Sequence, residues 1–168
     1  MHIRKAESVD LPQVHSLMQS ATRKMIAEGI QQWHEDYPNE EILAQDISLG
    51  HLFVGEDEHN ILGAVVLNEY QDKEYEAIKW LTPNASKNLV VHRLATRAEL
   101  QGKGIARKMM DFAETYAKEK GYDSIRLDTF SVNKRNQRFY EARGYTKLGA
   151  IQLPYKREEP YFCYERTL

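Results

Sequence analysis

A single cysteine, Cys163, leaves this chain unable to close an internal disulfide and removes every metal motif that needs two thiolates. Charge of one sign is equally scarce. The 23 basic residues stand against 25 acidic ones, a formal net charge of −2, which excludes a strongly basic nucleic-acid binder. No apolar run approaches the roughly 20 residues that a membrane-crossing helix needs. The opening Met1-His2-Ile3-Arg4-Lys5-Ala6 runs straight into polar residues without a signal-peptide pattern. These absences predict a cytoplasmic protein with no metal, no membrane and no nucleic-acid partner. What is present, 168 residues of which 42% are apolar and 29% charged, has the balance of a globular protein and suits one domain spanning residues 1–168.

Hydrophobic periodicity and turn residues divide the chain. Ile3 to Ala6 reads as a strand. A helix follows Ser8, with Asp10 and Pro12 near its start and Leu11, Val14, Leu17, Met18, Ala21 and Met25 on one face, and Gly29 stops it. The segment from Gln31 to Pro38 breaks the pattern with two large aromatics, Trp33 and Tyr37. A short helix over Glu40 to Leu49 is closed by Gly50, and strands at His51–Gly55 and Ile61–Glu69 flank the turn Glu58-His59-Asn60. Residues 71–87 read as loop with one helical turn. Then come a strand over Asn88–Thr96, an amphipathic helix over Gly104–Lys120, a strand over Ser124–Phe130 and a helix over Lys134–Arg143 ended by Gly144. A final hairpin, Tyr145–Ile151 with Tyr161–Glu165, has a polar tip from Pro154 to Pro160 that includes the charged run Lys156-Arg157-Glu158-Glu159. The expected architecture is α/β: a mixed, mostly antiparallel twisted sheet of about seven strands with helices on both faces.

The most informative segment is Gln101-Gly102-Lys103-Gly104-Ile105-Ala106, where a strand has ended and a helix opens inside a glycine turn. The first N–H groups of a helix lack internal partners and carry partial positive charge, which suits a phosphate or diphosphate. Glycines let such a ligand approach the main chain, and Lys103, Arg107 and Lys108 add positive charge. A P-loop fails, because Lys103 precedes the last glycine instead of following it. A dinucleotide fingerprint starting at Gly102 has Arg107 where its third glycine belongs, although Asp128 at the end of the next strand is compatible with it.

Downstream, Asn133, Asn136, Tyr140, Gly144 and Tyr145 form a second pattern, with an asparagine seven residues before a tyrosine and a glycine four after it. Together with His92-Arg93-Leu94-Ala95-Thr96 and the glycine loop, this resembles the GNAT superfamily of acyl-CoA-dependent N-acetyltransferases. The match to its motifs covers residues 89–145, about a third of the chain.

The resemblance implies acetyl-CoA as co-substrate. Main chain at Leu94, Ala95 and Thr96 would line the pantetheine arm. Gln101, Gly102, Lys103, Gly104, Ile105, Ala106 and Arg107 would hold the diphosphate, Asn133 and Asn136 would lie near the arm, and Tyr140 would be the general acid. A phenol that titrates near pH 10 is protonated at neutral pH and can give that proton to a departing thiolate. For the base that receives a proton from the amine, Glu69 is the first choice, with Asp128 and His92 behind it; Asp128 can equally pair with Arg93 or Arg126. Trp33 and Tyr37 are candidates to frame the acceptor site and equally to pack a helix corner. The expected partner is a small-molecule or peptide amine, and dimers are frequent in the family, which leaves a homodimer open. A non-catalytic acyl-CoA sensor is the competing class. Cys163, late in the last strand, is assigned to core packing.

Overall fold

The computed structural model describes residues 1–58, 60–153 and 158–168; His59 and residues 154–157, which include Lys156 and Arg157 of the hairpin tip, lie outside them. The strands are β1 (His2–Lys5), β2 (Leu52–Asp57), β3 (Asn60–Asn68), β4 (Asn88–Thr96), β5 (Ser124–Phe130), β6 (Thr146–Ile151) and β7 (Tyr161–Thr167). The helices are α1 (Leu11–Ala27), α2 (Glu40–Ser48), α3 (Ile105–Glu119) and α4 (Lys134–Ala142). Hydrogen bonds join the strands in the order β1-β2-β3-β4-β5-β7-β6. The sheet is mixed, since β4 runs parallel to β5 while β1–β2, β2–β3, β5–β7 and β6–β7 are antiparallel. The chain clusters into two units, Met1–Asn68 with Val91–Thr115, and Glu69–Val90 with Tyr116–Leu168.

In the first unit the period-2 alternation of the strands sorts side chains to two faces. Leu52, Val54, Ala64 and Val66 pack with Val14, Leu17, Met18 and Ala21 of α1 and with Leu43 and Ile47 of α2, and Trp33 belongs to this same buried cluster. The opposite face is shaped for α3. Gly55 pairs with Gly63 across β2 and β3, and a Cβ at Gly63 would lie 2.8 Å from Ile105 Cγ2 and 3.3 Å from Met109 Cγ. Two missing side chains therefore let the first turns of α3 approach the sheet, while Phe53 meets Phe112 at 5.1 Å beside them. The chain enters α1 through a capping box between Glu7 and Asp10. Arg4 grips Asp10 at 2.7 and 3.0 Å, and this hydrogen-bonded guanidinium holds the Asp10 carboxyl below its usual range.

The segment that read as loop is ordered by a polar network in the second unit. It contains a short 3-10 turn, Lys73–Ala77, with Tyr75 buried. The β5–β7 register sets Arg126 directly opposite Glu165, and both side chains are fully buried. Arg126 donates to Glu165 at 3.1 Å, to Gln71 at 2.8 Å, to Asn84 at 2.7 Å and to the Thr82 carbonyl at 2.7 Å, with its guanidinium 4.3 Å from the centre of the Trp80 ring. Glu165 also accepts from Ser124 at 2.6 Å, from the Thr82 hydroxyl at 2.5 Å and from the Leu81 N–H. Three residues of the loop thus answer one buried guanidinium. No local pattern in residues 71–87 announces this, because the partners come from two distant strands.

Burial alone would raise the Glu165 carboxyl, yet the bonds from Ser124, Thr82, Arg126 and Leu81 outweigh it and hold the group below the ordinary range. A carboxyl depressed in the folded state stabilises above its unfolded titration and loses that contribution as pH falls through the folded one. Replacing Glu165 by Gln leaves Arg126 charged and buried without its counter-ion, which should cost about 3–5 kcal/mol in urea unfolding at neutral pH. The deficit should shrink as the pH is taken below about 4, where the parent also loses its carboxylate.

Candidate functional site

The glycine loop sits where the sequence places it, in the first unit. After β4, a 3-10 turn covers Ala98–Leu100, tied down by Arg97 N–H to Leu62 C=O at 3.1 Å and by Arg97 Nε to Ile61 C=O at 2.6 Å. Gly102 and Gly104 then take φ of 81° and 80°, left-handed values that a residue with a Cβ adopts only at a cost of about 1–2 kcal/mol. A Cβ built at either position would meet nothing within 4 Å. The glycines are needed for their backbone shape, and the space before them is open. The Lys108 N–H reaches Gly104 C=O at 3.1 Å, the first i to i−4 bond of α3. The amides of Ile105, Ala106 and Arg107 belong to the turn that has no partner inside the helix. Lys103, Arg107 and Lys108 are exposed around it. The turn is open at both glycines and carries local positive charge, features that suit an anionic ligand.

Upstream of the loop, β4 is not regular. Its parallel ladder with β5 covers Asn88, Leu89 and Val90. Arg93 then takes φ of 50°, in the middle of a strand. A left-handed arginine breaks the alternation of peptide planes just before Leu94, Ala95 and Thr96.

The second unit carries the other motif. Asn133 is 1% exposed and its side-chain oxygen accepts the Asn136 N–H at 3.1 Å, capping α4, while Asn136 Nδ2 lies 3.4 Å from the Thr129 hydroxyl. Tyr140 lies on α4 with 6% exposure, packed against Phe139, Tyr145 and Tyr164 with ring centres 5.3, 5.9 and 6.2 Å away. Burial pushes its phenol well above the usual value, the charge of Asp128 pushes the same way, and Arg143 opposes them.

Set beside known proteins, residues 13–145 match the profile of the Acetyltransferase (GNAT) family. The chain belongs to that family. A relative, the uncharacterized N-acetyltransferase YesJ of Bacillus subtilis (strain 168), is 27% identical over 124 residues, covering 73% of this chain and 68% of that protein. Among solved structures, a GNAT-family acetyltransferase from Streptococcus agalactiae 2603 superimposes with a TM-score of 0.85 at 26% identity, over 99% of this chain and 95% of that one. The PaiA N-acetyltransferase of Thermoplasma acidophilum, crystallised with coenzyme A, shares the fold with a TM-score of 0.74 at 18% identity, over 99% and 98% of the two chains.

Glu69 follows β3, is exposed, and accepts from the Tyr122 hydroxyl at 2.9 Å. His92 Nε2 lies 3.0 Å from Asn68 Oδ1. Arg93 bonds Asp46, Arg126 bonds Glu165, and Asp128 accepts the hydroxyl of buried Tyr75 at 2.7 Å. Asp128 raises the phenol of Tyr75 and that of Tyr140, both already raised mainly by burial. Trp33 is buried in the core of the first unit, and Tyr37, half-buried against it, accepts from Arg93 at 3.2 Å. Cys163 is fully buried and burial raises its thiol, as core packing requires. Sequence reasoning missed Tyr75, whose tie to Asp128 spans 53 positions.

A consequence is measurable in the unliganded protein. Tyr140 should contribute no phenolate up to about pH 10, so the ultraviolet titration of Tyr140→Phe should superimpose on that of the parent over this range. A parent curve with one extra phenolate there would contradict the burial of the Tyr140 hydroxyl.

Proposed function

We propose that this protein is an N-acetyltransferase that moves the acetyl group of acetyl-CoA to a primary amine of a small molecule or peptide by direct attack. The observation that carries this reading is the open turn at Gly102–Arg107, with its two left-handed glycines and its first-turn amides. Membership of the GNAT family and the coenzyme A held by the PaiA relative support it. Acetyl-CoA supplies an activated acyl group, whose C–S bond breaks as the amine nitrogen forms its bond to the carbonyl carbon. The amides of the turn Gly102 to Arg107 hold the diphosphate, apart from that of Lys103, which donates to Leu100 C=O at 3.2 Å, and the main chain of Leu94, Ala95 and Thr96 lies along the pantetheine arm, with one of those amides directed at the acyl oxygen as charge develops there. Asn133 and Asn136, joined in the cap of α4, are the residues the family resemblance assigns to cofactor binding in the second unit. Tyr37 frames the acceptor side, on a turn that Trp33 anchors in the core.

Proton bookkeeping needs one donor and one acceptor. Tyr140 Oη holds a proton through the neutral range and gives it to the departing sulfur. The burial that makes its phenolate unfavourable also disfavours a naked thiolate, so the transfer is not opposed by the raised phenol alone. The acceptor of the amine's proton is a carboxylate of the second unit. Glu69 is favoured by its position after β3, whereas Asp128, pinned by Tyr75, is the one whose charge acts on Tyr140. We assign the base to Asp128 and keep Glu69 as its rival.

Free-thiol release from acetyl-CoA, followed across polyamines, amino acids, aminoglycosides and peptides, should identify at least one acceptor. Binding without turnover throughout that panel would favour the sensor class, and binding of NAD with no binding of coenzyme A would return the dinucleotide reading. With a productive amine, Tyr140→Phe should lower kcat about 10²–10⁴-fold while leaving acetyl-CoA affinity close to that of the parent. Equal rates would remove Tyr140 from the mechanism. Asp128→Asn should abolish the rising limb of the pH–rate profile while Glu69→Gln retains it; the opposite pair of results would give the base to Glu69.

A further inference from the structure

Arg93 is the one residue other than glycine that takes a left-handed φ within a strand among the described residues; the other such residue, Glu58, sits in a turn. Glycine occupies that region without strain and arginine does not, so the surroundings must hold Arg93 there. They do so through its side chain. Nε and Nη2 donate to the two carboxylate oxygens of Asp46, on α2, at 2.9 and 2.8 Å, and Nη1 donates to the Tyr37 hydroxyl at 3.2 Å. The Arg93 side chain is 15% exposed and that of Asp46 8%. A planar fork held by three bonds to two partners has little freedom left in its plane or its rotamer.

Each end of this residue reaches a different piece of the proposed site. Tyr37 closes a tight turn, its N–H bonding His34 C=O at 2.9 Å, and Trp33 anchors the start of that turn in the core. The main chain of Arg93 leads directly into Leu94, Ala95 and Thr96. A group pairing with those three residues fixes the peptide planes that follow Arg93, and a braced guanidinium cannot adjust independently of its own backbone. We infer that Arg93 is a positioning residue that couples the turn from Trp33 to Tyr37 to the strand segment Leu94–Thr96, so that filling the cofactor strand stiffens the acceptor turn. The inference rests on the acetyl-CoA reading above, and by linkage the coupling acts equally in both directions.

Hydrogen exchange on the full chain, with and without saturating acetyl-CoA, reads this coupling in peptides covering residues 31–38. In the parent, acetyl-CoA should slow exchange of that turn about fivefold or more. In Tyr37→Phe and in Arg93→Lys the slowing should fall below about twofold, while calorimetry shows acetyl-CoA still binding within a few-fold of the parent. A merely structural role would speed exchange alike in both conditions and leave the ratio intact. Should Arg93→Lys fail to fold, Tyr37→Phe decides alone, since it removes one hydroxyl. Acetyl-CoA binding without protection of the turn, or full protection retained in Tyr37→Phe, overturns the inference and leaves the functional reading standing. No binding of acetyl-CoA to the parent overturns both.

Discussion

Backbone amides at the start of α3 have no carbonyl to answer them inside the helix. Gly102 and Gly104 adopt left-handed conformations in front of them, with no atom near enough to touch a Cβ at either place. Three exposed cations, Lys103, Arg107 and Lys108, surround the turn in a protein whose formal net charge is −2. The local charge is thus set against the global one, which favours the compact polyanion proposed to bind there. The placement of that turn depends on packing elsewhere in the same unit. Gly55 and Gly63 lie opposite each other on β2 and β3, and the absence of side chains there seats Met109 and Ile105 against the sheet.

The second unit surrounds Tyr140, the proposed acid, by a different means. Tyr140 gains its protonated state from three aromatic neighbours and from a negative charge at Asp128. Asp128 in turn is oriented by Tyr75, which the ordering of residues 71–84 around Arg126 helps to hold in place. The buried Arg126–Glu165 pair is an expensive way to order a loop, since each charge must be fully answered by hydrogen bonds, and here they are. The result is a loop of polar composition that nevertheless presents one fixed tyrosine to one carboxylate.

Much of this was legible in the residues themselves. The strand over Asn88–Thr96 and the helix that follows Gly104 emerge with the expected bounds to within a residue, because apolar runs and glycine punctuation act locally. The pair of motifs at Gln101–Ala106 and Asn133–Tyr145 pointed to the right family before any geometry was known. Other features left no local trace. Arginine has no preference for a left-handed conformation, so the distortion at Arg93 cannot be read from its neighbours. The partners of Asp128 depend on sheet register: pairing of β5 with β7 sets Arg126 against Glu165, and Asp128 is left for a tyrosine from the loop. Trp33, read as a candidate for the acceptor side, is built into the core beside α1, and Tyr37 carries the polar contact of that turn.

In the proposed complex the first amides of α3 grip a diphosphate. Titration of coenzyme A into isotopically labelled protein, compared with titration of pantetheine, which lacks the diphosphate, tests it directly. The amide resonances of Gly102, Gly104, Ile105 and Ala106 should move strongly with coenzyme A and hardly at all with pantetheine. Coenzyme A that binds while leaving those four resonances in place would contradict the account.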